Sequence, residues 1–344
     1  MNLKNHLGEL FIVGFQGSDI SPAGTFAQQL ESCIPGGVIL FERTLSGPER
    51  GGNISSSAQL KKLTTDLHNL SSQPLLVCVD QEGGLVQRLN SGNGFFDTCS
   101  AEEMGSTETL ELTCAEALRC AENLSHHGIN VNFAPCVDLN INSNNPIIGK
   151  LQRCFSADPD RVSACAEAWI TCHRQHDIIS CLKHFPGHGS STADSHLGFV
   201  DISSCWEHRE LLPYRRLINK KMADMVMVGH LFHHKLDPAS PATLSFSTVT
   251  GLLREKLGYD GVVVTDDMQM KAISNHYGFG EAICRSLEAG IDMIVIGNNL
   301  DYRKSLLSEA IEAVEQGIES GVVREETIIA ALSRINHLKR LITD

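Results

Sequence analysis

Eight short apolar runs recur along the chain. They are L-F-I-V-G-F from Leu10, G-G-V-I-L-F from Gly36, P-L-L-V-C-V-D from Pro74, I-N-V-N-F-A-P from Ile129, I-I-S-C-L-K-H from Ile178, M-V-M-V-G-H from Met225, G-V-V-V-T-D-D from Gly261 and M-I-V-I-G-N from Met293. Their unbroken apolar character, in place of strict alternation, predicts strands buried on both faces of a parallel sheet. Between most of them lie segments with helical spacing: A-Q-L-K-K-L-T-T-D-L-H-N-L, E-A-L-R-C-A-E-N-L, D-R-V-S-A-C-A-E-A-W-I and E-L-L-P-Y-R-R-L-I-N-K-K. F-S-T-V-T-G-L-L-R-E-K-L-G follows with Gly258 as its expected C-cap, then F-G-E-A-I-C-R-S-L-E-A-G closed by Gly290. S-L-L-S-E-A-I-E-A-V and the C-terminal R-E-E-T-I-I-A-A-L-S-R-I-N-H-L-K-R-L-I complete the alternation. Strand and helix taking turns in this way define an α/β protein. Eight such units predict one (β/α)8 barrel of the TIM type over residues 1–344, with no second domain and a doubly wound open sheet as the alternative. S-G-P-E-R-G-G-N-I-S-S-S, near residues 46 to 57, reads as a surface loop.

The composition is that of an ordinary soluble globular protein. A net charge of −13 without any basic run argues against nucleic acid or an anionic membrane as partner and leaves room for a small neutral substrate. The N-terminal run, broken by Gly8 and Glu9, reads as a strand and not as a signal peptide. No segment approaches the ~20 apolar residues of a membrane helix. Twelve cysteines occur singly, without a C-x-x-C pair, and several sit inside apolar patterns as small hydrophobes. Reduced thiols and a cytoplasmic protein are expected, with a monomer as the simplest state.

What ends each run carries the chemistry. The third runs into Asp80, the fourth towards Asp138, the fifth into Lys183 and His184, the sixth into His230, the seventh into Asp266 and Asp267, and the eighth into Asn298. In a barrel these positions share the C-terminal mouth, where active sites lie. A metal site built from His184, His188, His196, His230 and Asp266 competes with this reading. Against it, no H-x-H stands at the first strand end, and Pro186, Gly187 and Gly189 suit a tight turn better than a ligand cage. No phosphate-binding glycine motif follows a strand. Neither metal nor cofactor is therefore expected.

D-Q-E-G-G-L-V-Q-R-L (Asp80 to Leu89), K-H-F-P-G-H-G (Lys183 to Gly189), D-S-H (Asp194 to His196) and T-D-D-M-Q-M (Thr265 to Met270) together resemble glycoside hydrolase family 3, nearest to its single-domain bacterial β-N-acetylglucosaminidases. The resemblance implies a retaining exo-β-N-acetylglucosaminidase acting on muropeptide-derived GlcNAc–anhydroMurNAc fragments in cell-wall recycling. It places Asp266 at the nucleophile position, with Asp267 as the other candidate and also a possible N-cap for the next helix. It makes His196 the acid/base and Asp194 its orienting partner. The pair is physically sensible, since a carboxylate fixes the ring's tautomer and favours its protonated form. Asp80, Arg88, Lys183 and His184 match sugar-binding positions. The family often has a basic residue where Leu85 stands. Arg153 in I-I-G-K-L-Q-R-C-F-S corresponds to a family arginine, displaced here by about two extra residues. His230 is a sugar-pocket residue or a packed core histidine. Gly187 to Ser191 read as a hinge-like turn, His188 as structural, and Asp194 with His196 as riders on the loop that follows. Two alternatives stay open: a β-N-acetylglucosaminide phosphorylase, since a histidine would not repel phosphate as a second carboxylate would, and a non-catalytic sugar-binding sensor.

Overall fold

A computed structural model describes residues 3–20, 26, 33–47, 51–71 and 73–343. Eight strands form one parallel sheet: β1 (Phe11–Gly14), β2 (Gly37–Ile39), β3 (Leu76–Val79), β4 (Val131–Asn132), β5 (Ile179–Phe185), β7 (Met225–Val228), β9 (Val262–Thr265) and β10 (Ile294–Ile296). Their order is β10-β1-β2-β3-β4-β5-β7-β9, so each neighbours the next in sequence, and β1 pairs with β10 in register Phe11 to Ile294. The ring closes between β9 and β10 through a parallel bridge of Val264 with Met293 and the bond from Thr265 N to Met293 O, 3.1 Å. The architecture is the expected (β/α)8 barrel.

Every residue of the eight ring strands is buried, because side chains pointing inward fill the barrel and those pointing outward meet the helices. The helices fall where the 3.6-residue spacing places them: Ser57–Leu70, Glu111–His126, Pro159–Arg174, Leu212–Asn219, Phe279–Ala289, Leu306–Glu319 and Glu325–Arg340. Asp158 caps one of them by accepting from Asp160 N, with Pro159 opening its first turn. Gly290 closes another in the left-handed region, φ 107°, a conformation that costs glycine little.

Four local expectations change. The first ten residues are not all strand: Leu3–Leu10 form a 3-10 helix, because Leu7 and Leu10, three apart, share one face and are both buried. Ser247–Lys256 is wound as a π-helix capped by Leu257, with Gly258 just beyond in the left-handed region. The stretch near residues 46 to 57 is more than a surface loop. Residues 48–50 lie outside the described residues, but Asn53 and Ile54 are buried, and Asn53 accepts from Phe41 N while donating to Phe15 O and Gly17 O. It thereby ties the ends of β1 and β2 together. Finally, two short strands outside the ring, β6 (Val200–Asp201) and β8 (Leu231–Phe232), pair with each other beside the mouth.

Candidate active site

The mouth holds a cavity of about 290 Å³ lined by Asp80, Arg88, His196, Asp266 and Asp267 among others. Asp266 follows β9; its backbone N–H donates to Val228 O, and its Oδ1 accepts from Asp267 N at 2.8 Å. Burial works against ionisation of Asp266. The imidazoles of His184, His230 and His196 outweigh it and hold the carboxyl below its ordinary value. Asp267 differs. Its Oδ1 accepts from Gln269 N and Gly297 N, each at 3.0 Å, yet burial together with the Asp266 charge pushes it up to about 6. It bends the loop instead of capping a helix: the turn Lys271–Ser274 is preceded by Met270 without a side-chain cap.

Asp194 and His196 are brought together as expected. Asp194 Oδ1 accepts from His196 N at 2.8 Å and lies 2.9 Å from His196 Nδ1. A carboxylate can only accept, so Nδ1 carries the proton it sees and Nε2 is left for other chemistry. The His196 side chain is 50% exposed, against 2% for Lys183, so a group entering the mouth meets His196 first.

Beneath the cavity lies a chain of buried charges. Lys183 Nζ reaches Asp80 Oδ1 at 2.8 Å and Glu82 Oε1 at 2.6 Å. Arg153 donates to both oxygens of Glu82, to Ile147 O and, at 3.2 Å, towards His184 Nε2. Arg88 Nη2 meets Asp80 Oδ2 at 3.2 Å. Burial opposes the charge on Asp80 and Glu82, but Lys183 with Arg88, and Arg153 with Lys183, bring them down to about 2. His184 is held from the other side by Asp138, whose Oδ2 is 2.8 Å from Nδ1 and which also accepts from His188 N at 2.7 Å. The Asp138 carboxylate at Nδ1 and the Arg153 guanidinium at Nε2 hold the ring from both sides. The Lys183–His184 peptide is cis.

His230 lies just outside the cavity wall. It is buried, with Nδ1 2.8 Å from Thr243 Oγ1 and Nε2 2.9 Å from Asp267 O. Burial, only partly offset by the Asp266 charge, lowers its pKa, and with a carbonyl as partner Nε2 is the donor.

Hydrogen bonds and close packing hold the glycine turn in this structure. A Cβ at Gly189 would stand 1.7 Å from Leu139 O, Asn142 N donates to Gly189 O, and Asn145 Nδ2 donates to His188 O and Ser191 Oγ. His188, brought down to about 4 by burial, spans the loop from Ser191 Oγ (2.7 Å) to Ser195 Oγ (3.5 Å). Under the turn, Glu210 of E-L-L-P-Y-R accepts from Ser190 N at 3.4 Å and Glu207 N at 3.2 Å, and burial raises it to about 7.

Three carboxylates have roles the sequence reading did not give them. Glu82 stands two residues past Asp80 in D-Q-E-G-G and is the hub of the ion-pair chain. Asp138, seen only as a strand end, orients His184. Glu42, one residue past the G-G-V-I-L-F run, lines the cavity 3.5 Å from Arg88 Nε; a carboxylate just beyond a barrel strand was the available signal. Asn299, not Asn298, lines the wall, because Asn298 turns its amide to the backbone of Arg303. Cys136, Asp138 and His184 bring three potential metal-ligand atoms within 4.8 Å of one another, and this set shares only His184 with the histidine set weighed from the sequence. The Cys136 thiol and the His184 ring both already face the Asp138 carboxylate.

A barrel whose mouth carries these carboxylates, an exposed histidine and a buried chain of ion pairs has the character of a carbohydrate-processing enzyme. The family model "Glycosyl hydrolase family 3 N terminal domain" matches residues 2–338, and the chain belongs to that family. The beta-hexosaminidase A of Pseudoalteromonas piscicida is 32% identical over 88% of this chain, which spans about half, 53%, of that relative. The beta-hexosaminidase of Tolumonas auensis is 35% identical over 77% of this chain and 76% of its own length. Among solved structures, a glycoside hydrolase family 3 beta-N-acetylglucosaminidase from Paenibacillus sp. str. FPU-7 superposes with a TM-score of 0.90 at 34% identity, covering 100% of this chain and 63% of that one. No helix among the described residues is long and apolar enough to cross a membrane.

Proposed function

We propose that the protein is a retaining exo-β-N-acetylglucosaminidase. The observation that carries this reading is one cavity lined by both Asp266, held below its ordinary pKa, and His196, held by Asp194. In the first step an Asp266 oxygen bonds to the anomeric carbon as the glycosidic C–O bond breaks. The bonding pair goes to the leaving oxygen, which takes a proton from His196. In the second, a water oxygen bonds to the same carbon and gives its proton to His196, and the Asp266 carboxylate departs with its electron pair. Asp80 and Arg88 hold sugar hydroxyls at the wall, with Lys183, His184 and Arg153 fixing them from behind. His230 holds the Asp267 carbonyl, and with it the turn that aims Asp266.

The names of the relatives support N-acetylhexosamine as the sugar, and the family resemblance supports muropeptide fragments as its source. Twelve unpaired cysteines agree with a reducing, cytoplasmic setting. Water is taken as the acceptor in keeping with the glycosyl hydrolase family to which the chain belongs, with phosphate as the alternative. Assay of aryl β-glycosides with and without phosphate tests this. Cleavage confined to N-acetylhexosaminides, releasing free sugar in both buffers, is expected. A sugar 1-phosphate product would overturn hydrolysis, and the absence of any turnover would leave only a sugar-binding role.

A further inference from the structure

Among the described residues that line the mouth cavity, those exposed to solvent are Arg43, Leu45, His196 and Leu300. Two of them are large and apolar: Leu45 is 59% exposed and Leu300 37%. The other aliphatic side chains of the lining, such as Ile39, Met227 and Val295, are buried in the barrel. A single exposed leucine calls for no explanation, but two at the edge of one charged cavity form an apolar surface of the kind that marks a binding site. The pair is held in place. Asn299, itself buried, accepts from Leu45 N at 2.8 Å through Oδ1 and donates to Arg43 O at 3.2 Å through Nδ2. Ser46 Oγ donates to Asn299 O at 2.8 Å and accepts from Tyr302 N at 2.9 Å. These four bonds button the loop after β2 to the loop after β10 and set both leucines on one wall.

The depth of the cavity decides which part of a substrate meets that wall. Its inner end is the Asp80 carboxylate on buried Lys183, and its outer end carries His196. The leaving oxygen takes its proton from His196, so the group attached to that oxygen starts at the level of His196 and extends outward. We propose that Leu45 and Leu300 form an apolar platform for this leaving group, so that the protein selects substrates presenting a hydrocarbon surface just beyond the scissile oxygen. The inference rests on the hydrolase reading given above. Arg43, the remaining exposed residue of the lining, stands 3.6 Å from Glu42 and so already faces a carboxylate. Apolar contact, which needs no charge on the substrate, is what the two leucines add to the site.

Alkyl β-N-acetylglucosaminides from methyl to hexyl test the proposal, because their leaving groups differ mainly in apolar length. In the wild type kcat/KM is expected to rise about tenfold along the series, a fraction of what full burial of the added methylenes would give. In the double variant Leu45→Ser with Leu300→Ser the rise should shrink to about twofold or less. Either single variant should lose part of it, which keeps the test open if the double variant does not fold. A flat series in the wild type, or an equal rise in wild type and variants, overturns the platform while leaving the hydrolase reading intact. Turnover of no member of the series overturns the hydrolase reading and the platform with it.

Discussion

Arg153 grips Glu82 with two parallel hydrogen bonds, Nε to Oε2 at 2.8 Å and Nη2 to Oε1 at 2.7 Å, with both side chains almost wholly buried. The two extra residues ahead of Arg153 do not move it out of the site. Gln152, with φ 56°, turns the chain so that the guanidinium points inward. A forked guanidinium matches a carboxylate in a way no ammonium does. Arg153→Met therefore removes a partner that Lys183 replaces only in part, and should cost roughly 3 kcal/mol. Chemical denaturation reads this directly; a loss below about 1 kcal/mol would show that Lys183 alone satisfies Glu82.

Acid sensitivity should follow from the same chain. Asp80, Glu82 and Asp138 all sit near 2 in the folded protein. Their folded values are depressed, so their stabilisation is present above the unfolded values near 4 and is lost as pH falls from there towards 2. Glu210 has the opposite sign. Its folded value of about 7 is raised, so its contribution is full below about 4.5 and is lost as pH rises through 7. Glu210→Gln should flatten the stability profile between pH 5 and 8, measured by denaturant midpoints. A variant profile parallel to wild type across that window would contradict the assignment.

For His196→Ala, the expected signature depends on the leaving group. Aryl glycosides with activated phenols should still be cleaved in the first step, with slowed deglycosylation. Substrates with poor leaving groups should lose roughly 10²–10⁴-fold. Equal losses on all substrates would count against an acid/base role.

Glu42 tests how far the cavity wall extends. It pairs with Arg88 at 3.5 Å and Arg43 at 3.6 Å. Glu42→Ala should free Arg88 and raise KM about tenfold, or roughly 1.4 kcal/mol of binding, with a smaller fall in kcat. An unchanged KM in initial-rate measurements would exclude Glu42 from substrate contact.

Much of this arrangement was legible in the chain. Continuous apolar runs gave the parallel strands, and their polar last residues gave the mouth, because in a barrel every strand end points to one face. The sequence could not say which polar residues pair with which. Asp138 and Glu82 look like ordinary loop acids until the fold sets them against His184, Lys183 and Arg153, residues far away along the chain. The turn after His184 shows the same limit. Glycines read as freedom in a sequence, but Gly189 is there because Leu139 O leaves no room for a Cβ. His230 kept two readings open until both ring nitrogens were found engaged with Thr243 and the Asp267 carbonyl.

The proposed mechanism stands or falls with a covalent bond between Asp266 and the sugar. Incubation with a fluorinated N-acetylglucosaminyl fluoride, which slows release of a glycosyl-enzyme, followed by peptide mass spectrometry, tests it most directly. A single glycosyl adduct is expected on the peptide bearing Asp266, absent from Asp266→Asn. An adduct on Asp267 or another residue, or sustained turnover by Asp266→Asn, would contradict it.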